Sequence, residues 1–304
     1  MSLTDLSKLT FLAAIWGGSF IFLRVAVPEF GPVLTSMLRI VLAAMALWCF
    51  AWLTGVNMHW RRNLKPYALI GLFAGAVPFT LFSFASVHLP AAYSAVLNST
   101  APLFGALFSI LWLAEKLTLR KLAGLVLGMA GVGVLVGAGS LVLNTPTLIA
   151  ASLCLFAGAS AAVSSIIVKI TGHAADRSTG AIHPIAMATG SLVLGGLMML
   201  PLLPFVLPTA LPSARAIWCV LGLSMLSSAL AQAIFIPLIM KIGPTRAMSV
   251  TFLIPLFSMV WAFLFLDENV HPITLLGAAI VLVAMWLVLS ASRQKMADTL
   301  TAEA

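Results

Sequence analysis

Residues 91–115 read AAYSAVLNSTAPLFGALFSILWLAE and residues 244–268 read PTRAMSVTFLIPLFSMVWAFLFLDE. Each stretch holds an apolar run long enough to cross a bilayer, carries a proline near its middle (Pro102, Pro255) and closes on a carboxylate (Glu115, Glu268). An offset of 153, from 255 − 102 and equally from 268 − 115, superposes Leu103 on Leu256 and Phe104 on Phe257. The same offset sets Phe82 on Phe235 upstream, and Leu122 and Gly124 on Leu275 and Gly277 downstream, without a gap. One unit has been duplicated. A weaker match at an offset of 145 sets Phe11 on Phe156, Ser19 on Ser164 and Arg24 opposite Lys169, extending the correspondence to the first and sixth apolar runs. Internal repeats in an apolar chain point to transporter architectures, with a substrate site between the halves at interrupted helices.

Composition sets the solvent. With 62% hydrophobic and 8% charged residues the chain is a membrane protein, since water-soluble domains carry about a quarter charged residues. Its apolar runs are continuous and close to the roughly 20 residues a spanning helix needs; barrel strands would alternate over about half that length. Spans are expected near 9–27, 32–54, 66–87, 91–113, 119–139, 147–170, 184–207, 216–240, 244–266 and 272–291. Several open on proline, which suits a first helical turn where no backbone donor is lost.

The formal charge of +8 does not indicate nucleic acid, because the basic residues sit in short loops and not on one face or tail. Counting alternate connections, one side holds Lys8, Arg61, Arg62, Lys65, Lys116, Arg120, Lys121, Lys169, Arg177, Lys241, Arg246, Arg293 and Lys295; the other holds Arg24 and Arg215. The positive-inside rule then puts both termini in the cytoplasm. Five spans per half is an odd number, so the second half enters the membrane in the opposite orientation. The expected fold is therefore an all-α membrane protein with ten transmembrane helices in two inverted five-helix repeats, residues 1–143 and 144–292, and a cytoplasmic tail at 293–304. Glycines at 71 and 75, and at 124, 128, 131, 133 and 137, have small-residue spacings that predict close helix packing; packing within the chain and packing against a second copy are both open.

All eight carboxylates (Asp5, Glu29, Glu115, Asp176, Asp267, Glu268, Asp298 and Glu303) fall in loops, tails or span ends. That disfavours cationic substrates and carboxylate-based proton coupling, which place acids inside the membrane. Of the histidines only His88 comes near a cavity-facing position, as a proton carrier or a solvated residue. Cys49, Cys154 and Cys219 are isolated in apolar runs and read as packing residues, with no paired spacing for metal or redox work. No HExxH, phosphate-binding glycine loop or GxSxG turn is present, so neither an enzyme nor a cofactor is expected.

Arg39 is the deepest charge, and an unpaired arginine inside a span costs at least roughly 2.5–3.5 kcal/mol. Two readings stand: an anchor for a substrate carboxylate, or a bond to helix-end carbonyls of neighbouring helices. Pro102 and Pro255 remove backbone donors at membrane depth and are candidate hinges beside a cavity. Candidate cavity residues are Trp16, Ser19, Phe79, Phe82, Ser83, Asn98, Ser99, Ser160, Ser164, Gln232, Phe235, Ser249, Thr251 and Phe252.

WGGSF in the first span, the repeated PLFGALFSILWLAE and IPLFSMVWAFLFLDE, and the glycines that follow each resemble the EamA family of the drug/metabolite transporter superfamily. Within it the chain looks most like bacterial YddG-type exporters of aromatic amino acids. The resemblance covers nearly the whole chain. It implies a central cavity among spans one, three, four, six, eight and nine, hairpins of spans three and four and of eight and nine that rock to open opposite faces, and spans five and ten as peripheral supports. The function it implies is export of neutral, especially aromatic, amino acids across a bacterial inner membrane by alternating access without tight ion coupling. Efflux of neutral amphipathic metabolites or drugs is the alternative within transport; a non-transporting scaffold or lipid-handling protein is the alternative outside it. The expected partners are a small-molecule substrate and the lipid bilayer.

Overall fold

In hydrocarbon every backbone N–H and C=O must be satisfied within the protein, which leaves helices or closed barrels. The computed structural model describes residues 3–112, 118–137, 144–178, 182–208, 210–242, 247, 250–251, 253–266, 272–273, 275–284 and 286–287, and among them the chain is helical with no strand. The helices are α1 (Leu3–Phe30), α2 (Pro32–Leu53), α3 (Trp60–Ala85), α4 (Ala91–Asn98), α5 (Ala101–Trp112), α6 (Leu119–Gly137), α7 (Thr145–Ser178), α8 (Pro184–Phe205), α9 (Ala214–Ile242), α10 (Ile254–Leu266) and α11 (Leu275–Ala284). Six of them are long and apolar enough to cross a membrane: α1, α2, α3, the Thr145–Val168 part of α7, α8 and α9.

Local chemistry explains several ends. α1 and α2 are joined by Gly31 alone, at φ 74° and ψ 161°, a region that only glycine enters without strain. Pro32 then starts α2 and Pro184 starts α8, where a missing N–H costs nothing. The fourth expected span is not one bent helix but two short ones. α4 ends at Asn98, residues 99–100 form a turn, and α5 begins at Ala101. Pro102 thus sits in the first turn of a new helix, and Pro255 stands likewise second in α10.

Two π-helical segments were not anticipated: Leu72–Ala76 inside α3 and Met225–Leu230 inside α9. They occupy repeat-equivalent positions, since 72 + 153 = 225. A π turn widens the helix and leaves a carbonyl without its usual i+4 donor.

The two halves of the chain interleave. α1 packs on α9 and α10, α2 and α3 pack on α8, and α7 packs on α3 and α5. One buried cluster joins α1, α4, α7 and α10, and a second joins α2, α3, α8 and α9. Polar clips fasten α1 to α9 at both ends. Lys241 Nζ donates to the Asp5 carboxylate at 2.7 Å, and the Glu29 carboxylate accepts from the Ser213 backbone N–H and hydroxyl. Asp5 is accordingly a buried residue of the first turn of α1, at the end of its span.

The glycine spacings resolve unevenly. A Cβ on Gly71 would overlap the Ser191 carbonyl oxygen and lie 2.8 Å from the Gly195 nitrogen, whereas one on Gly75 would meet only Ile40 Cδ1 at 3.9 Å. The expected 71/75 pair is one contact glycine and one bystander. Gly131 abuts Ile280 and Val281, and Gly128 abuts Leu103 and Ala284, so these glycines pack within the chain.

Candidate functional site

Near the mid-length of the long helices lies a cavity of about 1050 Å³, counting the part open at its mouth. α1 contributes Trp16, Ser19, Phe20 and Leu23; α3 contributes Ile70, Ala74, Pro78, Phe79 and Phe82; α7 contributes Ala161, Ser164, Ser165 and Val168. α9 adds Gln232, Phe235, Ile236 and Ile239, while Asn98, Ala101, Thr251 and Ile254 flank the interruptions before Pro102 and Pro255. Arg39 of α2 completes the wall.

The lining follows the repeat. At an offset of 145, Trp16, Ser19, Phe20 and Leu23 correspond to Ala161, Ser164, Ser165 and Val168; at 153, Phe79, Phe82, Asn98 and Ala101 correspond to Gln232, Phe235, Thr251 and Ile254. Both members of every pair face the same space. Edge-to-face ring pairs stiffen the walls, Trp16 with Phe235 at 4.9 Å and Phe20 with Phe82 at 5.6 Å between centroids.

Of the residues expected there, Trp16, Ser19, Phe79, Phe82, Asn98, Ser164, Gln232, Phe235, Thr251 and Arg39 line the cavity. Ser83, Ser99 and Ser160 do not. Ser83 is wholly buried with its hydroxyl unpaired, Ser99 bonds the Val96 carbonyl of its own helix, and Ser160 donates to the Phe73 carbonyl at 2.8 Å. Serine's alternative of bonding nearby backbone explains Ser99; for Ser83 the structure offers no account. His88 is exposed and away from the cavity. Ser249, Phe252, Glu115 and Glu268 lie outside the described residues, as do the loop cations Lys116 and Arg246 and the 293–304 tail.

The π segments supply what residue spacing did not reveal. Phe73 belongs to the first and bonds Ser160 of α7. In the second, the Ser227 carbonyl accepts from Trp16 Nε1 at 3.0 Å and from Arg39 Nη2 at 3.3 Å, and the Ser228 hydroxyl accepts from Arg39 Nε at 2.8 Å. Arg39 is 3% exposed, its guanidinium carbon stands 3.7 Å from the centre of the Phe79 ring, and no described carboxylate pairs with it. Its backbone acceptor is a carbonyl within a helix and not at a helix end. The side chains of Asn98, Ser164 and Gln232 make no protein hydrogen bond among the described residues, so neutral polar groups remain available to an occupant. Among those residues no cluster of His, Cys, Asp or Glu has a metal-binding arrangement.

Among the described residues the protein is a helical membrane bundle around a charge-poor, largely apolar cavity. The chain belongs to the EamA-like transporter family, whose model matches it twice, over residues 8–137 and 148–290. It is 28% identical over 276 residues to a probable terminal-alkyne amino-acid exporter of Streptantibioticus cattleyicolor, covering 90% of this chain and 89% of that one. It is also 28% identical over 284 residues to the uncharacterized inner membrane transporter YedA of Escherichia coli, covering 91% and 88%, and 24% identical over 272 residues to the uncharacterized transporter YoaV of Bacillus subtilis, covering 88% and 90%. A solved structure described only as the crystal structure of a protein superposes with a TM-score of 0.67 at 16% identity, covering 96% of this chain and 99% of that one; this likeness speaks to fold alone. The family and the relatives' names are those of membrane transporters and not of enzymes.

Proposed function

We propose that this protein exports neutral amino acids, aromatic ones especially, from the bacterial cytoplasm by alternating access, in the manner of the YddG-type exporters. The observation that carries this reading is the cavity itself. Its walls are mainly aromatic and aliphatic, with the Arg39 guanidinium set among them; the neutral side chains of Asn98, Ser164 and Gln232 are unpartnered, and no carboxylate lines it among the described residues. Such a wall suits an apolar or aromatic body with one polar end. The name of the Streptantibioticus relative, an amino-acid exporter, adds independent support.

Ten spans in two inverted five-helix repeats are the architecture proposed with it. Repeat-paired lining, π segments offset by 153 and a family model that matches each half support that arrangement. With the walls built from paired segments, rocking of one half against the other exposes the same cavity to either side in turn. Loop charge supports a cytoplasmic position for both termini. Single cysteines at Arg62, Arg120 and Arg177 are expected to be protected from an impermeant thiol reagent in intact cells while one at Asn269 is labelled; the opposite pattern overturns the orientation.

Transport is tested with purified protein in liposomes and a panel of labelled amino acids and amphipathic amines. Downhill flux of phenylalanine or tryptophan is expected with no imposed gradient and is expected to change little when a pH gradient is added, because no acid lines the cavity among the described residues. Strong uphill accumulation driven by that gradient sinks the uncoupled mechanism. Flux of the amines alone replaces amino-acid export with efflux of amphipathic compounds.

A further inference from the structure

We propose that Arg39 is the carboxylate subsite of this cavity, and that the cavity selects apolar monocarboxylates, favouring acids without an ammonium group over the corresponding zwitterionic amino acids and excluding the corresponding amines. The proposal deepens the transport reading and rests on it for the identity of the cavity.

Arg39 is buried, lines the cavity and faces no described carboxylate. A guanidinium remains cationic under all physiological conditions, and a buried charge is tolerated when something compensates it. Its fixed partners are neutral: the Ser228 hydroxyl, the Ser227 carbonyl and the Phe79 ring face. These bonds engage Nε and one hydrogen of Nη2, the side edge of the fork. Nη1 makes no protein bond among the described residues, so the end edge, formed by Nη1 and the second Nη2 hydrogen, is left for a carboxylate. That edge accepts two carboxylate oxygens in one plane.

The remainder of the lining decides the other end of the ligand. Asn98, Ser164 and Gln232 provide neutral dipoles, but among the described residues no lining side chain carries a negative charge to receive an ammonium. A zwitterion therefore leaves one of its two charges without a counter-charge, an amine adds a second positive charge to a site that already holds one, and a monocarboxylate neutralises it. The π turn at Met225–Leu230 is what fixes this geometry. By directing the Ser227 carbonyl and Ser228 hydroxyl at Arg39 it holds the guanidinium before a ligand arrives, so less ordering is required on binding.

The test uses the full-length purified protein in detergent, with ligand-induced thermal stabilisation giving apparent affinity for 3-phenylpropionate, phenylalanine and phenethylamine. These share one aromatic body. The expected order is 3-phenylpropionate, then phenylalanine, with phenethylamine at least about 10-fold weaker than the acid, as loss of a charge-assisted bidentate bond implies. Arg39→Gln is expected to weaken 3-phenylpropionate by about 10- to 100-fold and to erase the difference between acid and amine, while Arg39→Lys keeps the preference for the acid in reduced form. Because Arg39→Gln also loses the bonds to Ser227 and Ser228, the wild-type series decides the matter if that variant does not fold. Acid and amine binding within about threefold of each other, or phenethylamine binding the tighter, overturns the carboxylate subsite. If amino acids cross the liposome membrane while acid and amine bind alike, the transport reading stands and this proposal falls; if the acid binds selectively but no amino acid is carried, the subsite stands and amino-acid export falls.

Discussion

Gly71→Ala is expected to lower the midpoint of thermal unfolding in detergent by several degrees and to reduce the monodisperse fraction on size exclusion, while Gly75→Ala, one turn further on, lowers neither. The added methyl at 71 would meet backbone on α8, the Ser191 carbonyl and the Gly195 nitrogen, and Gly195 in turn faces the Gly71 carbonyl oxygen, which a Cβ there would approach to 2.9 Å. Backbone cannot turn aside as a side chain does. α3 and α8 must therefore separate along their contact, carrying with them Tyr67, which is itself packed on Gly190. Overpacking of this kind costs typically about 1–3 kcal/mol, and this site belongs at the upper end because both neighbours are main chain. Gly75 offers open space beside Ile40, and alanine is the better helix former by about 1 kcal/mol. Equal stability of the two variants would mean that the α3–α8 contact is looser than described.

Replacing Pro102 or Pro255 with alanine is expected to slow transport about tenfold at unchanged membrane level, and to bias the cavity toward opposite faces in the two variants. Each proline stands second in a helix that follows an interruption, and Asn98 and Thr251, four residues before, both line the cavity. Proline withholds the N–H that would bond those carbonyls. After the break the helices restart alike. Phe104 N–H bonds the Thr100 carbonyl at 3.4 Å and Phe257 N–H bonds the Leu253 carbonyl at 3.2 Å, equivalent positions at the 153 offset. On the first side the break is reinforced by the Ser99 and Thr100 hydroxyls, which bond the Val96 and Leu97 carbonyls. Alanine restores the donor and favours a continuous helix; where two open states differ by a few kcal/mol, a bias of roughly 1.4 kcal/mol shifts their ratio tenfold. The measurement is flux in liposomes together with labelling of a cysteine at Ser164 by reagent added from either side. Opposite labelling shifts support paired hinges, and wild-type flux in both variants makes the prolines passive.

The sequence by itself determined the solvent, the helical class and the duplication, because these follow from apolar run length, the scarcity of charge and matching residues at one offset, all of them properties of the chain read in order. It also named ten of the residues that line the cavity. Phe82 and Phe235, or Asn98 and Thr251, were legible as repeat partners near interrupted helices, and a position close to a break in a spanning helix faces protein or water more often than lipid. Serine orientation was not legible. Ser83, Ser99 and Ser160 have the same local chemistry as Ser19 and Ser164, and which of them reaches the cavity depends on helix rotation, set by packing between distant elements. The same limit applies to the glycines, where identical spacing conceals one backbone contact at Gly71 and none at Gly75.

Tertiary structure alone decided the π segments and the setting of Arg39. A π turn stores no compositional signature, since LFAGA and MLSSAL are ordinary helical stretches; it persists because the carbonyls it frees find donors on other helices, Ser160 for one and Trp16 with Arg39 for the other. Those donors lie 87, 211 and 188 residues away in the chain. No window of sequence contains such a bond. What a buried arginine does is fixed by which neutral groups surround it and which edge of its fork they leave open, and only the assembled bundle specifies that.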